Sequence, residues 1–195
     1  SLKSHFVGMF VGNCNRGSLI NSKAVHSRDR GIQLSGCRNF LVEGNYVSDC
    51  GIGYTNNSII GYGITGSRLN STKYGNNYNI TVRGNIVERC SRKGIDFHNG
   101  VNLVIEGNTI HNYEYTGIHA INEDSVKRVD NVKVINNYIY CDEIQYTKGY
   151  AAAILVGNQE TSYSFGYVEV KGNVLIEAHN WNNIAINHSG DMLLV

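Results

Sequence analysis

A seven-residue spacing recurs six times, running from Ser18 to Val25, Phe40 to Val47, Ile80 to Val87, Leu103 to Ile110, Val132 to Ile139 and Val168 to Leu175. The blocks read apolar-x-apolar-x-Gly-Asn-x-apolar, as in Ile80-Thr81-Val82-Arg83-Gly84-Asn85-Ile86-Val87. Period-two alternation makes each half of a block a strand with one buried face. Gly-Asn between the halves reads as a turn, because both residues tolerate positive φ. A third short element follows each block, at Gly31-Ile32, Gly63-Ile64, Gly94-Ile95, Gly117-Ile118, Ala153-Ile154 and Asn183-Ile184. Three short strands repeated every 20 to 40 residues predict an all-β solenoid of about seven stacked coils.

The shortest coils run 22 to 23 residues, and the longer ones carry insertions. These fall at 49–62 and 141–151, just before the Gly-Ile strand, and at 67–77, 122–130 and 158–166, just after it. The seven-residue blocks take none. Loops of a repeat fold gather on the face that is used, so the Gly-Ile strands are expected to floor a groove with loop walls on both sides. A coil is already in progress at Gly8-Met9-Phe10-Val11, and the chain ends on Met192-Leu193-Leu194-Val195. Solenoids need capped ends. Residues 1–195 are therefore expected to form one domain that is a fragment of a longer chain, or one whose end a partner subunit covers.

Composition narrows the picture. The chain holds 26 Asn and 22 Gly but no Pro. Asn and Gly disfavour helix interiors, and the absence of Pro suits a backbone that is ladder-bonded almost throughout. A net charge of +1 gives no electrostatic case for nucleic acid or a membrane surface, and the apolar runs are too short to span a bilayer. Of five cysteines, Cys14 and Cys37 are one coil apart, while Cys50 and Cys90 each follow the last apolar position of a block by three residues. They read as a row of small buried thiols, with disulfides between stacked coils as the alternative. No zinc-type cysteine spacing occurs, so no metal and no cofactor is expected. Sequons at Asn56, Asn70, Asn79 and Asn187 carry little weight in so Asn-rich a chain.

Stacking lets the outward residues of the Gly-Ile strands be read coil by coil. One row is Phe10, Gln33, Thr65, Asp96, His119, Leu155, Ala185; the next is Gly12, Ser35, Ser67, His98, Ile121, Gly157, Asn187. With strands ~4.8 Å apart, Asp96, His98 and His119 should crowd together, with Gln33, Thr65 and Ser67 one or two coils away. A carboxylate with two imidazoles is an acid/base set, in which the Asp is expected to raise the His pKa and fix its tautomer. A solvated sheet face with no function would also carry polar residues. Arg92 and Lys93 before Gly94, and Tyr113 and Tyr115 before Gly117, are corner residues that could bind an anionic sugar or supply a phenolic acid. His26, Glu88 and His111 follow the last apolar position of their blocks on another face, which solvation explains. Asp142-Glu143 opens an insertion and is a candidate second carboxylate for a hydrolase.

The whole chain resembles the right-handed parallel β-helix of the pectate-lyase-like superfamily, which includes polysaccharide lyases, hydrolases, epimerases and trimeric phage tailspikes. Lys93-Gly94-Ile95-Asp96-Phe97-His98, followed by Val101-Asn102-Leu103-Val104-Ile105, is similar to the Tyr-Gly-Phe-Asp-Pro-His motif of mannuronan C5-epimerases. That resemblance implies catalytic roles for Asp96 and His98. The chain departs from it at Lys93, where the motif has Tyr, and at Ile121, where the family has its second catalytic Asp. Inserted, Asn/Gly/Tyr-rich coils without Pro are more similar to the central part of a phage tailspike. This implies a homotrimer, a virion-tail or extracellular location, and binding with cleavage of a bacterial surface polysaccharide. The expected site therefore has Asp96, His98 and His119 as catalytic groups and Gln33, Thr65, Ser67, Lys93 and Tyr115 as substrate contacts. A uronate C5-epimerase and a binding-only spike or adhesin are the alternatives.

Overall fold

The computed structural model describes residues 6–53, 60–67, 73–122, 129–141, 152–158, 166–176, 182–187 and 192–194. Among the described residues, twenty strands lie in three parallel sheets, and each sheet takes one strand from successive coils. The floor sheet holds Val7–Gly12, Arg30–Ser35, Tyr62–Gly66, Lys93–Phe97, Thr116–Asn122, Ala152–Asn158 and Asn182–Asn187, in sequence order. The first halves of the blocks form a second seven-stranded sheet, and the second halves form a third sheet of six. This is the single-stranded parallel β-helix that the spacing predicts.

Identical positions stack because each coil repeats the same inward pattern. Ile32, Ile64, Ile95, Ile118 and Ile154 are mutual register partners in the floor sheet, and all five are fully buried. Phe40, Ile80, Leu103, Val132 and Val168 form a second column, and Val47, Val87, Ile110 and Ile139 a third. Each fully buried side chain contributes roughly 1.5–3 kcal/mol of apolar transfer. Because every coil supplies one member to every column, the core is a rod of side chains bounded by three sheets.

The first block is displaced by one residue from the spacing read in the sequence. Gly17, not Ser18, pairs with Phe40, and Ala24, not Val25, pairs with Val47. Gly17 carries no side chain because the Phe40 ring already fills that space: a Cβ there would meet Cε2 of Phe40 at 2.8 Å. The same shift moves His26 out of the Glu88–His111 row, where Val25 and Ser48 stand instead. His26 sits at a left-handed corner (φ 57°), as do Asp49, Arg89 and Asn112 (φ 56°, 51° and 51°).

The Gly-Asn turn is also built differently from its sequence reading. Gly44, Gly84, Gly107 and Gly172 take positive φ, but the Asn that follows each does not. Asn45, Asn85, Asn108, Asn137 and Asn173 instead form a ladder through the wall. The Oδ1 of Asn85 accepts from both the backbone N–H and the Nδ2 of Asn45, and the pattern repeats to Asn173. Each Nδ2 also donates to a carbonyl of the preceding coil, as Asn108 does to Val82. A second, exposed ladder joins Asn15, Asn39, Asn79, Asn102 and Asn131. The high Asn content is thus the material of inter-coil bonding.

All five cysteines are thiols, and Cys50 and Cys90 are register partners at the corner, as the row of buried thiols requires. Among the described residues no helix is long and apolar enough to cross a membrane. Most of the inserted residues, including Asp142, Glu143 and the sequons at Asn56 and Asn70, lie outside the described residues.

Candidate active site

The floor strand Lys93–Phe97 positions the site through a break in its alternation. A Cβ at Gly94 would point inward, meeting Cγ2 of Ile110 at 2.5 Å and the carbonyl O of Gly117 at 2.7 Å. Ile95, the next residue, also faces the core and is fully buried. Two successive inward positions put Lys93 on the same side as Asp96, although period-two alternation would separate them. Only glycine lets the backbone come this close to the next coil without displacing it.

Asp96 pairs in register with Thr65 on one side and His119 on the other, as the row reading requires. Its carboxylate is contacted by three side chains. His119 Nδ1–H donates to Oδ1 at 2.7 Å, Lys93 Nζ donates to Oδ1 at 2.9 Å, and His98 Nε2–H donates to Oδ2 at 2.9 Å. Lys93 Nζ also lies 3.1 and 3.3 Å from the two ring nitrogens of His119 and 3.3 Å from His98 Nε2. The two imidazole centroids are 5.0 Å apart. The Asp96, Lys93 and His119 side chains are 1%, 2% and 6% exposed, while His98 is 15% exposed.

Electrostatics set the protonation states. Burial opposes ionisation of Asp96, but the charges of His98 and Lys93 and hydrogen bonds from both imidazoles outweigh it. Its carboxyl is held well below the usual range. His119 goes the opposite way from its sequence expectation. Burial, aided by the neighbouring charges of Lys93 and His98, overrides the attraction of Asp96 and lowers its pKa to about 4. His119 is therefore neutral at physiological pH. Its tautomer is fixed by donation from Nδ1 to Asp96, as expected. The Asp96, His98 and His119 donor atoms are close enough together to hold a metal ion. The Lys93 ammonium already lies within 3.3 Å of all three residues and fills the cation's place.

Lys93 corrects the view of it as a residue on the groove border: its ammonium is interior to the cluster. Tyr62, which the sequence reading passed over, is its register partner one coil away. Reading the Lys93 column, and not just the Asp96 column, would have found it. The Tyr62 and Tyr115 rings each lie 5.7 Å from Lys93 Nζ. Burial raises the Tyr62 phenol well above its usual range, so it stays neutral. Arg92 Nη1 donates to the Tyr62 hydroxyl, and its guanidinium lies 5.2 Å from the Tyr62 ring and 5.9 Å from the Tyr115 ring. On the far side Gln33 Nε2 donates to Ser67 Oγ at 2.7 Å, and Ser35 Oγ to the Ser67 carbonyl at 2.6 Å. Gln33 and Thr65 are 0% and 1% exposed, whereas Ser67 is half-buried. Ile121, at the second epimerase position, is an apolar residue 8% exposed.

Comparison with known proteins adds the family. A family model described as right handed beta helix region matches residues 2–188. No curated protein sequence matches the chain. Among solved structures, the chain is similar to PfbA, a surface adhesin of Streptococcus pneumoniae, with TM-score 0.64 and 16% identity over 94% of this chain. It is also similar to an alginate lyase from Paenibacillus, with TM-score 0.61 and 13% identity over 95% of this chain. The tailspike of the Pseudomonas phage phi297 overlaps 97% of this chain at 13% identity, with TM-score 0.39. The chain spans 54% of the adhesin, 69% of the lyase and 39% of the tailspike. At these identities the likeness is one of fold.

Proposed function

We propose that this chain, which belongs to the right-handed beta helix family, binds a polysaccharide along its floor sheet and cleaves it at the Lys93–Asp96–His98–His119 cluster. One observation carries the reading: a buried, ionised carboxylate contacted by two imidazoles and an ammonium on the outer side of the sheet. The core columns do not need this cluster, and burying such charges costs stability that packing alone would not incur. His98 is the proton-transfer group, because it is the most exposed of the four and Asp96 orients its ring. Lys93 supplies fixed positive charge where negative charge develops. Asp96 orients and does not exchange protons, since three donors hold it ionised. Ser67 and Tyr115 belong to the same proposal as substrate contacts, as do an extracellular or virion setting and a homotrimer, whereas Gln33 and Thr65, shielded from solvent, support the floor beneath them.

A C5-epimerase is the second reading, favoured by the contact between Asp96 and His98 within the motif that resembles that family. It needs the same proton abstraction without chain cleavage. The test incubates the chain and its His98→Gln variant with uronate-containing and neutral bacterial polysaccharides. New reducing ends that the variant fails to produce support cleavage at this site. Loss of label from C5 without new ends favours the epimerase. Binding without either reaction leaves a binding spike, and cleavage by both proteins places the site elsewhere.

A further inference from the structure

Arg92 stands beside the cluster, within electrostatic reach of the Asp29 carboxyl. Among the described residues no carboxylate pairs with its guanidinium, whose hydrogen-bond partner is the Tyr62 hydroxyl. It lies over the Tyr62 and Tyr115 rings, which it shares with the Lys93 ammonium. Arg30, the register partner of Tyr62 on its other side, lies 5.6 Å from the same ring. Arg30 is answered by Asp29 at 3.0 Å, and Lys93 by Asp96. Burial pushes the Asp29 carboxyl up, while the charges of Arg30 and Arg92 pull it back down. Three cations therefore converge on one edge of the floor while the chain as a whole carries only +1.

The buried Tyr62 ring and the half-buried Tyr115 ring hold the Arg92 fork in place without neutralising it. A guanidinium arranged in this way presents paired N–H donors to a planar oxyanion. We infer that Arg92 binds an anionic substituent of the sugar held at the Asp96–His98–His119 cluster, so that the substrate is an acidic polysaccharide. The inference rests on the polysaccharide reading above and narrows it. Where the substituent is a uronate carboxylate, it lies next to the C5–H bond. His98 in its neutral form, with Nε2–H on Asp96, then takes the C5 proton at Nδ1, the C–H electron pair forms the C4–C5 double bond, and the C4–O bond breaks. The glycosidic oxygen leaves with the C4–O electron pair and takes a proton from the Tyr115 phenol or water, while Arg92 and Lys93 stabilise the enolate-like carboxylate.

The experiment measures binding of three oligosaccharide probes: a uronate oligomer, the same oligomer after reduction of its carboxyl groups, and a sulfated neutral oligomer. The wild-type chain is compared with Arg92→Gln and Arg92→Lys, all with their melting temperatures recorded. The expected result is that wild type binds the uronate or the sulfated oligomer about tenfold or more tighter than the reduced one. Arg92→Gln should lose that preference at unchanged melting temperature, and Arg92→Lys should keep part of it. A preference for sulfate over carboxylate supports the acidic class and excludes the elimination route. Equal binding of charged and reduced oligomers, or a preference that survives Arg92→Gln, overturns the inference while leaving the polysaccharide reading intact. Failure of every probe to bind wild type removes both.

Discussion

The Lys93 ammonium lies 2.9 Å from the Asp96 carboxylate, with both side chains at least 98% shielded from solvent. Removing one member of such a pair leaves the other charge buried, which costs about 3–5 kcal/mol, whereas replacing both with apolar groups costs far less. Lys93→Met and Asp96→Leu should each destabilise the chain on that scale in chemical unfolding. The double variant should lose less than the sum of the two. Strictly additive losses would show that the pair is not coupled.

Gly94 tests how tightly the floor strand is specified. Its backbone φ is not left-handed, so alanine is conformationally acceptable there, and the cost is steric alone. With contacts of 2.5 and 2.7 Å to Ile110 and Gly117, Gly94→Ala should cost about 1–3 kcal/mol and disturb the cluster through Lys93. Gly84→Ala is the contrasting control. Its Cβ would meet nothing within 4 Å, but its φ of +60° makes it costly for backbone reasons, about 1 kcal/mol. Gly84→Asn should recover most of that loss. If Gly94→Ala unfolds no earlier than wild type, the close approach does not constrain the strand.

The fold was legible because the core columns depend on residues that repeat in place: Ile64, Ile95 and Ile118 mark their own stacking. The juxtaposition of Asp96 and His119 was legible for the same reason, since they occupy one outward row. What escaped reading depends on geometry between coils. The first block slipped because Gly17 yields its space to Phe40, so spacing alone pointed to Ser18. The Asn ladder reads as turn chemistry in the sequence because a buried amide bonded to the next coil has the same sequence signature as a turn residue. The raised pKa expected for His119 failed because a sequence shows the neighbouring Asp96 but not the burial and the Lys93 charge that outweigh it.

The Asn ladder has its own consequence. Asn108 donates to the Val82 carbonyl and to Asn137, and accepts from Asn85 through both the backbone and the side chain. Asn108→Ala strands these partners in a buried wall and should cost about 1–3 kcal/mol for each group left unsatisfied. Asn79→Gly, in the exposed ladder, keeps its left-handed backbone and leaves partners that solvent reaches, so it should change stability by no more than about 1 kcal/mol. Unfolding midpoints of the two variants, measured side by side, decide this. Equal losses would mean that burial does not distinguish the ladders.

Acidification should weaken the chain in two successive windows. His119 has a folded pKa of about 4 against 6.5 for the ordinary imidazole. Between those values the unfolded chain binds a proton that the folded chain refuses, so stability rises with pH there and falls as pH is lowered. The gap corresponds to roughly 3 kcal/mol. Asp96 continues the trend below 3.8, because the unfolded carboxyl is protonated while the folded one stays ionised until lower pH. His119→Asn keeps an N–H donor toward Asp96 but cannot titrate. Urea unfolding from pH 7 to 3 should therefore show a flatter slope between 6.5 and 4 for the variant, and a retained loss below 3.8. Parallel curves for wild type and variant across the upper window would mean that His119 is already charged in the folded chain. The neutral, tautomer-fixed imidazole assigned to the site would then be wrong.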